Sequence, residues 1–291
     1  MNTNRRTFMS ASAVAGTAAV AGCLDDLPLV GSDSLPDYAD WLSADVLLEE
    51  DSVFVMHMDY GELLEWPEDD QEELEVEEIA DQMGVETEDI DGFLIVEVPD
   101  ETGFGGEEHI IFLGSFDPDE AADNLELSDD PEDEYEGYDV YEEMFMQVAI
   151  GDDAIVMSTA YEDWIDASTG EADRVADEDG DWDELLREVG NSAFSMLATA
   201  DADDEAVDDP LDDPANGDLE GLELMGMGMD SAGSDTYEIF GTMYFEDESD
   251  AEDAVEEMEE DAEEDDEVED YSIDQDGLVV TFEMTTDEMD F

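Results

Sequence analysis

Short apolar runs separated by turn-forming residues dominate the chain. β-Branched and aromatic residues predict strands at 53–58, 90–98, 109–116, 138–142, 145–150 and 154–159. A 3.6-residue period predicts a helix over 71–83, with Leu74, Ile79, Ala80 and Met83 on its apolar side, and shorter helices at 37–42, 161–167 and 183–189. Asp117-Pro118-Asp119-Glu120 is a helix start: Asp117 as N-cap, Pro118 in the first helical position, acids in the first turn, then Ala121, Ala122 and Leu125. The glycines at 103, 105 and 106 mark a hairpin between the second and third strands.

The same plan recurs in the second half. Phe194 heads a strand as Phe54 does, and Leu219-Glu220-Gly221-Leu222 echoes Ile90-Asp91-Gly92-Phe93. A strand at 237–245 then leads to Glu246-Asp247-Glu248 and a helix carrying Ala251, Ala254, Val255 and Met258, and Tyr271-Ser272-Ile273 parallels Tyr138-Asp139-Val140. The expected fold class is α+β: two tandem ferredoxin-like units, antiparallel sheets with helices on one face, related by internal duplication. Their expected extents are 45–182 and 183–291.

Charge changes the picture. The chain has 291 residues, with 96 Asp and Glu against 4 Lys and Arg, a formal net charge of -92. Nucleic-acid binding is excluded, because neutralising phosphates takes a stripe of basic residues. An anionic membrane surface repels such a chain for the same reason. Acidity this extreme fits either a disordered chain or a folded one adapted to concentrated salt. Runs such as Phe93-Leu94-Ile95-Val96 and Ile110-Ile111-Phe112-Leu113 favour the folded alternative. In molar salt the Debye length shrinks to about 3 Å, which makes carboxylate repulsion tolerable.

Half of the basic residues lie in one dipeptide. Asn4-Arg5-Arg6-Thr7-Phe8-Met9, a mildly apolar Ala-rich stretch and Val20-Ala21-Gly22-Cys23 have the layout of a twin-arginine signal ending in a lipobox. Arg5 and Arg6 are the export signal, residues 1–22 the signal peptide and Cys23 the lipidation site. The stretch 11–22 is too short and too rich in small residues to span about 30 Å of hydrocarbon. Cys23 is the sole cysteine, so no thiol remains for a disulfide, a metal cluster or a nucleophile. Residues 23–44 are expected to tether the folded part to the lipid. The expected location is therefore the outer face of the cell membrane, with the lipid on Cys23 as membrane partner and any protein or solute partner undefined.

Five segments extend this reading: Tyr38-Ala39-Asp40-Trp41-Leu42, the strand around Gly92, Phe116-Asp117-Pro118-Asp119-Glu120, Tyr135-Glu136-Gly137-Tyr138-Asp139-Val140-Tyr141, and Ile165-Asp166-Ala167-Ser168-Thr169-Gly170-Glu171. With the signal sequence, they resemble uncharacterised haloarchaeal surface lipoproteins exported by the twin-arginine route. That resemblance implies no catalytic residues.

Candidate chemistry is sparse. With 96 carboxylates, acid pairs occur at every spacing and identify nothing. Only His57 and His109 titrate near neutrality; each falls on a predicted strand with no motif serine nearby, and each is expected to be a satisfied sheet histidine. No Gly-x-Ser-x-Gly or complete phosphate loop occurs. The acidic loop 177–184 misses the calcium-loop register and is expected to be a solvated turn with an Asp cap. Met225-Gly226-Met227-Gly228-Met229 puts three thioethers on one strand face, where core packing competes with Cu(I) binding, and Met56 and Met58 flank His57 in the matching strand. No cofactor, catalytic residue or metal ligand is assigned.

The expected function is a non-enzymatic structural or binding role at the surface of a halophile. The alternative is a solute- or cation-binding lipoprotein that serves a transporter, and a carboxylate-pair hydrolase is a third possibility. The charge predicts that the fold is cooperative in multimolar KCl and melts out on dialysis to low salt, where screening fails. Circular dichroism unchanged by dialysis would contradict this.

Overall fold

Alternation and β-propensity give twelve strands in the computed structural model, which describes residues 34–48, 52–64, 66, 89–99, 106–128, 130–143, 146–199, 221–233, 236–264 and 268–286. These are β1 (Val53–Asp59), β2 (Ile90–Pro99), β3 (Gly106–Gly114), β4 (Asp133–Tyr135), β5 (Tyr138–Glu143), β6 (Met146–Ile150), β7 (Ala154–Ser158), β8 (Phe194–Thr199), β9 (Leu222–Gly233), β10 (Thr236–Phe245), β11 (Val268–Asp276) and β12 (Val279–Thr286). All belong to one antiparallel sheet, ordered β11-β12-β10-β9-β8-β1-β2-β3-β7-β6-β5-β4. A 3-10 turn (Asp37–Trp41) and helices α1 (Ala44–Leu47), α2 (Tyr60–Leu63), α3 (Pro118–Asn124), α4 (Tyr161–Thr169), α5 (Val175–Glu178), α6 (Gly180–Val189) and α7 (Glu248–Glu264) complete the described residues.

An antiparallel sheet with helices is thus the architecture, but two expected features need correction. The two units do not form separate sheets, since β1 pairs with β8 from Val53↔Thr199 to Met58↔Phe194 and fuses both halves. Nor do the helices lie on one face. Val53, Val55, Leu94, Val96, Ile111, Val156 and Leu197 pack beneath the 3-10 turn, α1, α4, α5 and α6. The alternate residues Met58, Phe93, Phe112, Ile155, Phe194 and Met196 pack on the opposite face, with α2 and α3, and α7 covers that face over β10 and β12. Central strands that must bury both faces carry apolar residues at nearly every position, which is why they look like continuous runs in sequence.

Strand order runs outward from the β1–β8 pair in matching steps: β2 and β3 on one arm, β9 and β10 on the other, then β7–β6 and β12–β11, with β5–β4 extra on the first arm. Met56 faces Met196, so half a turn about that pair exchanges Phe54 with Phe194, as the sequence comparison expects. Other echoes shift. The register matches Phe93 to Met225, three residues past Leu222, and the counterpart of β11 is β6 rather than β5. Helices α3 and α7 both follow the third strand of their arm.

Local chemistry explains most boundaries. Asp117 caps α3 by accepting from the Glu120 N–H, with Pro118 first in the helix. Asp179 accepts from the Asp181 and Trp182 N–H groups, so α6 starts at Gly180, before the expected 183, and the acidic loop is largely helix start. Strand β3 begins at Gly106 and ends at Gly114, earlier than 109–116 at both ends. The predicted helix over 71–83 lies outside the described residues. Gly226 and Gly228 have a packing reason: a Cβ at Gly226 would sit 2.6 Å from Leu185 of α6, and one at Gly228 2.6 Å from the Phe240 ring. The Met-Gly alternation in β9 therefore gives thioethers to one face and a close landing for a helix to the other.

The N-terminal segment is part of the body rather than tether throughout the expected 23–44. Tyr38, Ala39 and Leu42 are almost wholly buried, and the Val175 N–H donates to the Leu42 carbonyl. The 182/183 boundary between the expected units falls inside α6. Arg174 holds this region together: its guanidinium pairs with Asp40 and donates to the Ala167 and Ser168 carbonyls at the end of α4 (3.1 and 3.4 Å). The next residue after α4, Gly170, has φ 76°, a left-handed cap that glycine adopts without strain. Arg187 instead bridges Asp183 one turn away on α6.

These roles predict unequal costs. Arg174→Gln loses two charge-assisted bonds to carbonyls and is expected to destabilise by about 2 kcal/mol even in multimolar KCl. Arg187→Gln loses an exposed i,i+4 pair worth about 0.3–0.5 kcal/mol. Denaturant melts of the two variants check this, and equal effects would refute it.

Candidate functional site

Sheet pairing brings to each histidine a serine that sequence distance conceals. His109 on β3 lies one step beyond the paired Ile110↔Met157, so it meets Ser158 at the end of β7, with Nδ1 2.8 Å from Oγ. Ser158 Oγ also accepts from the Ala160 N–H (2.8 Å) and from Trp164 Nε1–H (3.2 Å). A hydroxyl has two acceptor lone pairs and one proton. Two donors fill the lone pairs, so the Ser158 proton is donated to His109 Nδ1 and the imidazole carries its own proton on Nε2. The pair has the outline of a nucleophile and its base, yet a serine with both lone pairs occupied and no exposed surface has nothing to attack with. Burial lowers the His109 pKa, opposed by the nearby Glu107 carboxylate. His109 is satisfied, as expected.

His57 departs from that expectation. It lies on β1 opposite Ser195 of β8, its ring stacked on Tyr38 with centroids 4.1 Å apart and planes inclined by 23°. Its Nδ1 is buried without a hydrogen-bond partner, as are Tyr38 Oη and Ser43 Oγ. The neighbouring hydroxyls serve each other: Ser192 Oγ and Ser195 Oγ are 2.8 Å apart, and Ser192 donates to the Val189 carbonyl. Tyr38 lies close enough to Ser195 to feel it, although no bond forms, and burial raises its pKa. Burial also pushes the His57 pKa down to about 3. His57 is thus a neutral ring whose role is to be the floor under Tyr38.

Glu238 is a carboxylate with a raised pKa in contact with a second acid. Glu238 on β10 hydrogen-bonds to Glu283 on β12, and its pKa is raised by burial, then by that bond and by the charges of Glu283 and Asp230. The neighbouring negative charge disfavours ionisation of Glu238. The pair is half-buried, and Ser272 and Asp274 on the adjacent strand β11 are exposed. Asp230 is partly buried and accepts from the Ala193 N–H (2.8 Å). Among the described residues, no three His, Cys, Asp or Glu side chains are arranged to hold a metal ion.

The methionines form the most ordered assembly of potential ligands. Pairing places Met56 opposite Met196, Met196 opposite Met227, and Met225 opposite Met243, all on one face of β1, β8, β9 and β10. Met229 lies on the same face opposite Phe194, and Met58 flanks it across β8. Sequence alone finds the three in β9; Met196 and Met243 join only through register. Arg5, Arg6 and Cys23 lie outside the described residues.

No family model matches the chain, and no curated protein matches it. Among solved structures, crystal form I of TP0453 is similar over 88% of this chain and 95% of that one, with 12% identity and a TM-score of 0.48. Crystal form IV of TP0453 gives 12% identity and a TM-score of 0.47 over 87% of this chain and 94% of that one. A likeness this remote carries no functional argument.

The stacked histidine predicts a specific pH dependence. The unfolded state takes up a proton near pH 6.5 and the folded state only near 3, so the His57 contribution is fully present above 6.5 and is lost as pH falls toward 3. Groups with raised values, such as Asp230, act oppositely, so the informative quantity is a difference. The unfolding free energy of wild type minus that of His57→Gln is expected to fall by about 1.4 kcal/mol per pH unit within that window. A pH-independent difference would refute the neutral buried ring.

Proposed function

We propose that this protein is a lipid-anchored cell-surface protein of a halophile, exported by the twin-arginine route, with a non-enzymatic structural or binding role. The observation that carries this reading is the use of its base candidates as packing. The Ser158–His109 pair is saturated by the Ala160 and Trp164 donors, and His57 is covered by Tyr38. The Glu238–Glu283 pair is a further acid–base candidate, half-buried next to the exposed Ser272 and Asp274 of β11, and among the described residues no histidine, serine or arginine hydrogen-bonds to it.

Two further features support the anchored reading. The 3-10 turn within the expected 23–44 tether packs against the body and is held by Arg174, so a lipid on Cys23 would pull on a clamped segment. Acidic residues line both outer strands, Asp133 and Glu134 on β4 and Asp270, Asp274 and Asp276 on β11, which blocks sheet-to-sheet association at a crowded surface. The matching strand order of the two arms supports descent of the chain from two copies of one α+β unit, with β4 and β5 added to the first.

The test is fractionation in the native host. Cys23→Ser is expected to move the exported protein from membrane to medium, and Arg5→Lys with Arg6→Lys to leave it in the cytoplasm. Membrane retention of exported Cys23→Ser would overturn the anchor.

A further inference from the structure

Strand interiors favour β-branched side chains, and the face that carries α4 and α6 follows that rule with Val53, Val55, Val96, Ile111 and Val156. The opposite face breaks it over β1, β8, β9 and β10, where Met56, Met58, Met196, Met225, Met227, Met229 and Met243 stand together. Unbranched thioethers cost more conformational entropy to order than valine or isoleucine and specify packing less sharply. A cluster of them at the centre of the sheet asks for another reason.

Bulk around the cluster selects three. Met196 and Met227 are directly opposite, and Met225 is two residues from Met227 on the same face. Across from Met225 on β8 stands Ala198, a single methyl, whereas Met229 faces the Phe194 ring. Met196 is buried at 2% exposure, while Met225 and Met227 beside it are half-buried, so the three thioethers run from the covered core toward its edge. Opposed Cβ atoms lie about 5 Å apart and i,i+2 positions about 7 Å, so the three form a triangle with sides of about 5, 7 and 8 Å. A sulfur two bonds beyond each Cβ can reach a common point above the triangle's centre.

We propose that Met196, Met225 and Met227 form a site for a soft monovalent cation, Cu(I). Three neutral thioethers suit Cu(I), which accepts a trigonal sulfur set, and suit the hard cations of brine poorly. That distinction matters for a chain bearing 96 carboxylates: oxygen ligands attract sodium, potassium and calcium everywhere, and only an apolar sulfur site discriminates against them. This site stands independently of the lipid anchor, which neither requires nor excludes it.

The test uses the mature protein with Cu(I) delivered anaerobically against a competing chelator, in molar sodium sulfate because chloride itself ligates Cu(I). One equivalent is expected to bind. Met196→Leu, Met225→Leu and Met227→Leu keep apolar volume, and each is expected to weaken binding by about 100-fold or more, since even outer-shell changes cost about 10–100-fold. Met229→Leu is the control and is expected to change nothing. Methionine-methyl NMR of the wild type keeps the test independent of variant folding: Cu(I) is expected to shift the methyls of residues 196, 225 and 227. No binding, equal weakening by Met229→Leu, or shifts confined to other methionines would overturn the site.

Discussion

The structure depends on one non-local pairing, β1 with β8, because neither arm of the sheet is complete without it. Residues 53–58 meet residues 194–199 across about half of the chain, and side chains there alternate between two cores. A one-residue slip would exchange Val53 and Val55 with Phe54 and Met56 and upset both cores together. The register is therefore fixed from two sides. The cost is kinetic: long-range strand pairing must close a large loop before any contact rewards it. The local hairpins β2–β3, β5–β6, β6–β7, β9–β10 and β11–β12 provide sequence-near structure onto which that pairing can close.

Carboxylate excess shapes where everything else goes. Acids occupy the first turns of helices, where N-terminal N–H groups welcome them: Asp117 and Asp179 as caps, and Asp119, Glu120, Asp181 and Asp183 just inside. Others accept from tyrosine hydroxyls, as Asp166 does from Tyr135 and Asp153 from Tyr138. Both tyrosines have raised pKa values, Tyr135 chiefly through its carboxylate partner and Tyr138 chiefly through burial. With no lysine in the chain, hydroxyls and backbone N–H groups do the work that ion pairs do elsewhere. Arg174 is spent where no hydroxyl would serve, on two carbonyls and a carboxylate at once.

What could be read in the sequence follows from the range of each signal. The strand runs, the Asp117–Pro118 start and the equivalence of Phe54 with Phe194 depend on neighbours in the chain and were visible. Single-sheet fusion and the two-sided placement of helices were not, because a residue such as Val55 does not reveal whether Met56 faces water or a second core. The helix α5 and the strand β4 are too short to show a period. The serine partner of His109 was invisible for a different reason: 49 residues separate His109 from Ser158, and only the β3–β7 register joins them. The same limit hid Met196 and Met243 from the methionine pattern of β9.

The two faces of the central strands differ in a way that burial alone does not explain. Both are apolar and both carry helices, so hydrophobic gain per unit area is the same on each. Yet one is built from valine, isoleucine and leucine locked under aromatic side chains such as Trp164 and Trp182, while the other concentrates methionine. Packing pressure on the first face is visible at Gly226 and Gly228, where a Cβ would press on Leu185 of α6 and on the Phe240 ring of β10. Rigid, β-branched packing suits a face that only has to hold a helix. Deformable thioethers suit a face that also has to admit something, and in this sheet the rigid face lends its register to the adaptable one, since each strand carries both.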